Sequence, residues 1–186
     1  MNTKTIAIIA TFAALTIVLN LSPVKIPAPY APYLIYQLWE IPIVAAFLLF
    51  GITVGLTIAL MNTAILFAVF PGTLPTGPLY NLAAVISMLS GLAIIKLLAK
   101  KNQQHGEAFK STLAIALGIT FRVAFMTLVN WTFLRYPVPI GFSMPEMAIL
   151  GALPLIAIFN ATLAFYTILL GYLVAKTVQT SIKIPA

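Results

Sequence analysis

Lys110–Arg135 reads KSTLAIALGITFRVAFMTLVNWTFLR. It is long enough to cross a bilayer, which takes about 20 mostly apolar residues in a helix. Yet Arg122 stands near its middle, and Asn130 follows two turns on. At roughly 3.6 residues per turn, the two lie within about 80° of each other. Thr127 falls between them in height, and Trp131 follows Asn130. An arginine at membrane depth costs on the order of 3 kcal/mol on insertion scales, so it faces a protein interior or a water-filled cavity. This stretch therefore predicts one wall of a polar pocket inside a helix bundle. The alternative is an Arg122 that serves only structure, bonded to backbone carbonyls.

The rest of the chain supports a membrane setting. It has 186 residues, 62% hydrophobic and 7% charged, where soluble domains carry about 25% charged residues. The expectation is one all-α integral membrane domain over residues 1–186, built as a six-transmembrane-helix bundle. Lys4 before an apolar run could imitate a signal peptide; the length of the run favours a retained first span.

Composition also excludes chemistry. Cysteine and aspartate are absent, the acids are Glu40, Glu107 and Glu146, and the one histidine is His105. A Ser-His-Asp triad or a His-carboxylate metal cluster cannot be assembled from these. There is no GxxxxGK[ST] loop to hold ATP phosphates. The chain is expected not to be an enzyme and to carry no cofactor or metal. The net charge of +7 matches lysines facing anionic lipid rather than nucleic acid.

Six spans follow from the apolar runs. They are about Thr5–Leu21, Ile41–Phe50, Gly51–Phe70, Leu79–Leu98, Lys110–Arg135 and Glu146–Lys176. The second is short unless its helix starts near Tyr33. Ser22–Pro32, SPVKIPAPYAP, holds four prolines, which rule out a regular helix and predict a stiff loop. Pro71–Pro78 and Tyr136–Pro145 read as two further Pro-rich loops. His105 falls in the charged loop Leu98–Lys110 and reads as solvated.

Lysine and arginine set the orientation. Lys4, Lys96, Lys100, Lys101, Lys110, Lys176 and Lys183 fall on one side, and Lys25 and Arg135 on the other. The positive-inside rule then predicts both termini in the cytoplasm. Asn20, Glu40, Asn81 and Asn130 fall in the outer third, with Asn62, Arg122 and Asn160 nearer the midplane. Trp39, Tyr80 and Trp131 share the outer level. Amides and aromatic planes at these depths predict a pocket open to the outside for a neutral, flat, hydrogen-bonding ligand. Trp39 and Glu40 stand at the start of span 2, where Glu40 could equally be an exposed helix-start acid. Ala7, Ala10 and Ala14 form a stripe of small residues on span 1, which lets helices approach closely in lipid.

These motifs resemble the substrate-binding S-components of energy-coupling factor (ECF) vitamin transporters, over essentially the whole chain. ATFAA, Ala10–Ala14, resembles the small-xxx-small motif that docks on the transmembrane coupling subunit. FRVAFMTLVNW, with Arg122, Met126, Thr127 and Asn130, is similar to the run R-x-x-x-M-T-x-x-N-Y of the riboflavin-specific branch. Asn62, GPLYNLAAVIS with Gly77 and Asn81, and Leu153-Pro154 match further segments. The chain departs from that branch at Trp39-Glu40, where an Asp is usual, and at Met61 and Phe159–Asn160, where lysines are usual.

The resemblance implies a prokaryotic plasma-membrane subunit that captures a vitamin, riboflavin first, as transported cargo. It would work with a transmembrane coupling subunit and two ATPase subunits. The substrate contacts would come from Trp39, Glu40, Asn62, Tyr80, Asn81, Arg122, Thr127, Asn130, Trp131 and Asn160, and docking from Ala7, Ala10 and Ala14. Two rivals stand beside it. One is a stand-alone secondary transporter of a small neutral solute, for which Glu40 is the lone candidate proton carrier. The other is a non-catalytic membrane scaffold that uses the alanine stripe alone.

Overall fold

A computed structural model describes residues 3–69, 73–101 and 106–182. His105 and Lys183, and Phe70–Gly72 with part of the second loop, lie outside the described residues. The same holds for the side chains of Lys100, Lys101 and Glu107. In order, the elements are α1 (Thr3–Leu21), β1 (Ile26–Ala28), β2 (Ala31–Tyr36), α2 (Glu40–Phe50), α3 (Ile52–Val69), α4 (Gly77–Lys101), α5 (Glu107–Phe133) and α6 (Glu146–Ile182). All helices but α2 are long and apolar enough to cross a membrane. By that measure the chain is a multi-pass membrane protein.

One feature differs from the sequence reading. The first proline-rich segment is not an irregular loop. Its strands pair antiparallel, Ile26 opposite Tyr36 and Pro27 opposite Ile35, with an irregularity after Pro27. Proline is tolerated at the edge of a two-stranded ribbon because its missing N–H can face away from the partner. Tyr and Ile in APYLIY fit an extended, half-buried surface. The hydroxyls of Tyr30 and Tyr36 meet at 2.6 Å across the ribbon. Burial first, then this bond, pushes the Tyr30 hydroxyl up to about 12, so it stays neutral at ordinary pH.

Helix α2 is the short second helix expected from about Ile41 to Phe50. It starts at Glu40, not near Tyr33, because Ala31–Tyr36 is already committed to strand. Its 11 residues cover about 16 Å at 1.5 Å each, roughly half of the ~30 Å hydrocarbon core. The short helix is the hub of the bundle. Glu40 and Pro42–Phe47 are all buried, as expected for a helix that is apolar on every side. Ile43, Val44 and Phe47 pack with Ile9 and Ala13 of α1, Ile58 of α3, Met88 and Leu89 of α4, and Ala164 and Ile168 of α6. Gly51 ends the helix at φ +96°, a left-handed conformation that glycine adopts without steric cost. Its N–H closes on Phe47 O at 2.9 Å, and Lys96 Nζ reaches Leu48 O at 3.3 Å. Both satisfy carbonyls that a helix end otherwise leaves bare.

Along α4, α5 and α6 the chain runs as an antiparallel trio. A Cβ on Gly91 of α4 would meet Leu117 O of α5 at 2.6 Å and Gly118 Cα at 2.9 Å. The two backbones therefore touch, as small residues permit in membrane bundles.

Candidate functional site

The site is built on an ion pair. Arg122 of α5 and Glu40 at the start of α2 are both 2% exposed. The guanidinium grips the carboxylate with two bonds, Nη1 to Oε2 and Nη2 to Oε1, the latter at 2.9 Å. Its Nε donates to Asn160 Oδ1 of α6 at 3.0 Å, and Nη1 also lies 3.8 Å from Met88 Sδ of α4. A two-bond arginine–carboxylate pair is the strongest geometry for such a contact. Each charge answers the other, so neither the cost of a lone arginine nor that of a lone glutamate is carried in the apolar interior. Glu40 is thus no exposed helix-start acid, and Arg122 bonds to side chains rather than to backbone carbonyls. The pair ties α2, α4, α5 and α6 together.

A cavity of about 170 Å³ opens on this pair. Asn160 and Phe159 of α6 line it, with Asn130 and Met126 of α5, Tyr80, Asn81 and Ala84 of α4, and Trp39. The fourth wall is β2 and the residue after it, through Leu34, Ile35 and Gln37. The strand reaches this depth because Tyr36 stacks against Phe159, with ring centres 4.8 Å apart. Tyr166 Oη further donates to Gln37 O at 2.6 Å. Non-helical backbone is tolerated among membrane helices where it lines a cavity or is buried in protein.

Most polar side chains of the cavity are already engaged. Asn160 donates Nδ2 to Ile156 O, 2.9 Å, besides accepting from Arg122. Asn130 donates to Met126 O, 2.7 Å, which leaves its Oδ1 as acceptor. Tyr80 donates to Ile140 O at 2.9 Å, and Thr76 bonds Pro139 O at 2.6 Å. These two bonds hold the α5–α6 loop against α4. Gln37 Oε1 is buried with no hydrogen-bond partner.

A second cavity of about 450 Å³ adjoins the first. Leu34, Asn130 and Ile156 border both. Its other walls are Tyr33, Thr73, Leu134, Phe142, Met144 and Ala152, so it is mainly apolar. The first chamber alone is smaller than the roughly 300–1,000 Å³ of drug-sized sites, while the two together fall inside that range.

Trp39, Glu40, Tyr80, Asn81, Arg122, Asn130 and Asn160 therefore come together around one cavity. Asn62, Thr127 and Trp131 do not line it. Asn62 is buried elsewhere, where Asn20 Nδ2 donates to its Oδ1 at 3.3 Å and joins α1 to α3. Trp131 is 41% exposed and lies under the Arg135 guanidinium, 4.9 Å from ring centre. Nine residues after Arg122, it sits about 180° round the helix. Thr127 is half-buried and about 140° away by the same count. Gln37 was not among the expected contacts. Its one signal was a polar side chain between aromatics in YQLWE, just before the helix start.

On α1, Ala7, Ala10 and Ala14 are exposed, whereas Ile9, Ala13 and Thr16 face the bundle. The small-residue stripe points away from the chain's own helices.

No protein-family model matches the sequence, and no curated protein matches it. Among solved structures, the chain is similar to the S component of a bacterial ECF transporter. The TM-score is 0.77 at 19% sequence identity, over 99% of this chain and 100% of that one. At that identity the likeness is one of fold: helices and hairpin together adopt the fold of an ECF S component.

Proposed function

We propose that the chain is the substrate-binding subunit of an ECF-type importer, and that it captures riboflavin or a related small uncharged vitamin. The observation that carries this reading is the polar cavity floored by Glu40, Arg122 and Asn160, set in a fold similar to a known S component. The lysine distribution supports both termini in the cytoplasm of a prokaryotic cell, with α2 and β2 together serving as the sixth crossing. The hairpin and the cavity then face outside. Tyr80, Asn81, Asn130 and Asn160 serve as polar contacts and Trp39 as an aromatic wall. Glu40 and Arg122 form the floor. The subunit performs no chemistry of its own; a transmembrane coupling subunit and two ATPases supply the work. The exposed Ala7, Ala10 and Ala14 are the docking stripe.

Protein purified in detergent tests the reading directly. An absorbance spectrum with flavin bands, and mass spectrometry finding about one flavin per chain after denaturation, is the expected result. A colourless preparation that releases another vitamin replaces the substrate and keeps the role. If nothing is released and no vitamin raises the unfolding temperature, the scaffold reading takes its place, since a ligand bound only to the folded state must stabilise it. Ala10→Leu is expected to leave binding intact and abolish uptake in cells that hold the coupling module. Loss of binding in that variant would remove the docking assignment.

A further inference from the structure

We propose that Gln37 selects the ligand: the site takes an uncharged molecule whose polar edge presents an N–H donor to Gln37 Oε1, with an apolar portion in the second chamber. This rests on the vitamin-binding reading above and narrows it.

The charge argument comes first. Glu40 and Arg122 are the charged side chains lining the polar chamber, and they neutralise each other. An anion or cation entering there meets no unspent opposite charge. It is either buried without a partner or has to pull the pair apart, and a buried ion left without its partner is strongly destabilising. An uncharged ligand avoids both outcomes.

The hydrogen-bond inventory then singles out one group. Asn160 accepts from Arg122 through its oxygen and gives one amide hydrogen to Ile156 O. Three side-chain amide oxygens remain around the chamber, those of Asn81, Asn130 and Gln37, and of these Gln37 Oε1 is the one enclosed with no partner. A buried acceptor without a donor carries a desolvation cost that a ligand N–H removes. Gln37 is also held in place from outside the chamber, because its own carbonyl accepts from Tyr166 and Tyr36 beside it stacks on Phe159. The backbone that carries its amide is therefore fixed at the chamber wall. Beyond Asn130 the walls turn to Leu134, Phe142, Met144 and Ala152. A ligand long enough to touch Gln37 and pass Asn130 places its remainder against apolar surface.

The test uses full-length protein in detergent and six probes: riboflavin and nicotinamide, which are uncharged and carry an N–H beside a carbonyl; the N-methyl imide of the first and the N,N-dimethyl amide of the second, which lack that N–H; thiamin as a cation; and biotin as an anion. Thermal shift ranks the probes, and titration gives affinities for wild type and Gln37→Met, a substitution of similar length with neither donor nor strong acceptor. An uncharged probe should stabilise most. Wild type should prefer it over its methylated analogue by about tenfold or more, in line with one buried hydrogen bond, and Gln37→Met should lose that preference. A merely structural role for Gln37 would weaken both analogues equally. Equal preference in the two proteins overturns the assignment, and so does thiamin or biotin as the strongest stabiliser, while either result keeps a vitamin-binding subunit. No stabilisation by any probe removes the selection together with the binding reading on which it rests.

Discussion

The half of the bundle under the hairpin and the half beyond Met88 use the same helices and are built in opposite ways. Under the hairpin, α4, α5 and α6 present Tyr80, Asn81, Asn130 and Asn160 and stand apart around two cavities. Ten residues further along α4, Gly91 lets the α4 and α5 backbones touch, and the interior is Ile43, Phe47, Ile58, Leu89 and Ile168 around α2. The Glu40–Arg122 pair sits at the boundary. In lipid, apolar burial gives no drive for helices to associate, so packing and hydrogen bonds must do it. The difference teaches that one half of this molecule holds itself together by contact and the other by a charge pair, which frees the second half to keep open space.

Breaking the boundary should have the largest effect. Arg122→Ala leaves Glu40 buried without its partner and is expected to cost about 3–5 kcal/mol of stability. Denaturant unfolding in detergent reads this directly. The double variant Glu40→Gln with Arg122→Met removes both charges at similar volume, and should recover most of the loss for the same reason. If the double variant is no more stable than Arg122→Ala, the pair is not what joins the two halves.

The contact half makes a smaller and different prediction. Gly91→Ala places a Cβ 2.6 Å from Leu117 O, against backbone that cannot swing aside. Helices α4 and α5 must separate, at a cost of about 1–3 kcal/mol typical of overpacking. Because the strain lies about 15 Å along α4 from Asn81, at 1.5 Å per residue, ligand affinity should change less than stability. A Gly91→Ala protein with wild-type unfolding would show that the two backbones do not touch as tightly as Gly91 implies.

The sequence carried the height of the polar residues but not their facing. Arg122, Asn130 and Asn160 stood out because polar groups at membrane depth are costly, and the cavity gathers them. Asn62 stood at a similar depth yet faces α1 and bonds Asn20. A helix in lipid is apolar on its outer face as well as its inner one, so periodicity does not say which side a residue takes. Spacing did hold information against Trp131, which cannot share a face with Arg122. The ion pair was invisible, since Glu40 and Arg122 lie 82 positions apart. The hairpin was hidden for a local reason: prolines in SPVKIPAPYAP argue against helix, and they argue equally against the central strands of a sheet. Only a ribbon with two free edges admits them. With the strand missed, Gln37 had no wall to belong to.

The smallest effect sharpens the same comparison. Asn20 Nδ2 donates a hydrogen bond to Asn62 Oδ1 outside both cavities, between α1 and α3, at 3.3 Å. Hydrogen bonds between membrane helices average about 0.6 kcal/mol in double-mutant cycles. Asn20→Ala is therefore expected to cost about that much in unfolding free energy and to leave ligand affinity unchanged. Asn130→Ala should do the reverse, because its Nδ2 bond stays within its own helix while its Oδ1 remains for a ligand. Its stability loss should stay below about 1 kcal/mol, with affinity falling severalfold. The two substitutions remove the same chemical group from opposite kinds of place. If both shift stability alike and neither shifts affinity, the asparagines of this bundle serve one purpose, and the division into a contact half and an open half fails where it was drawn most finely.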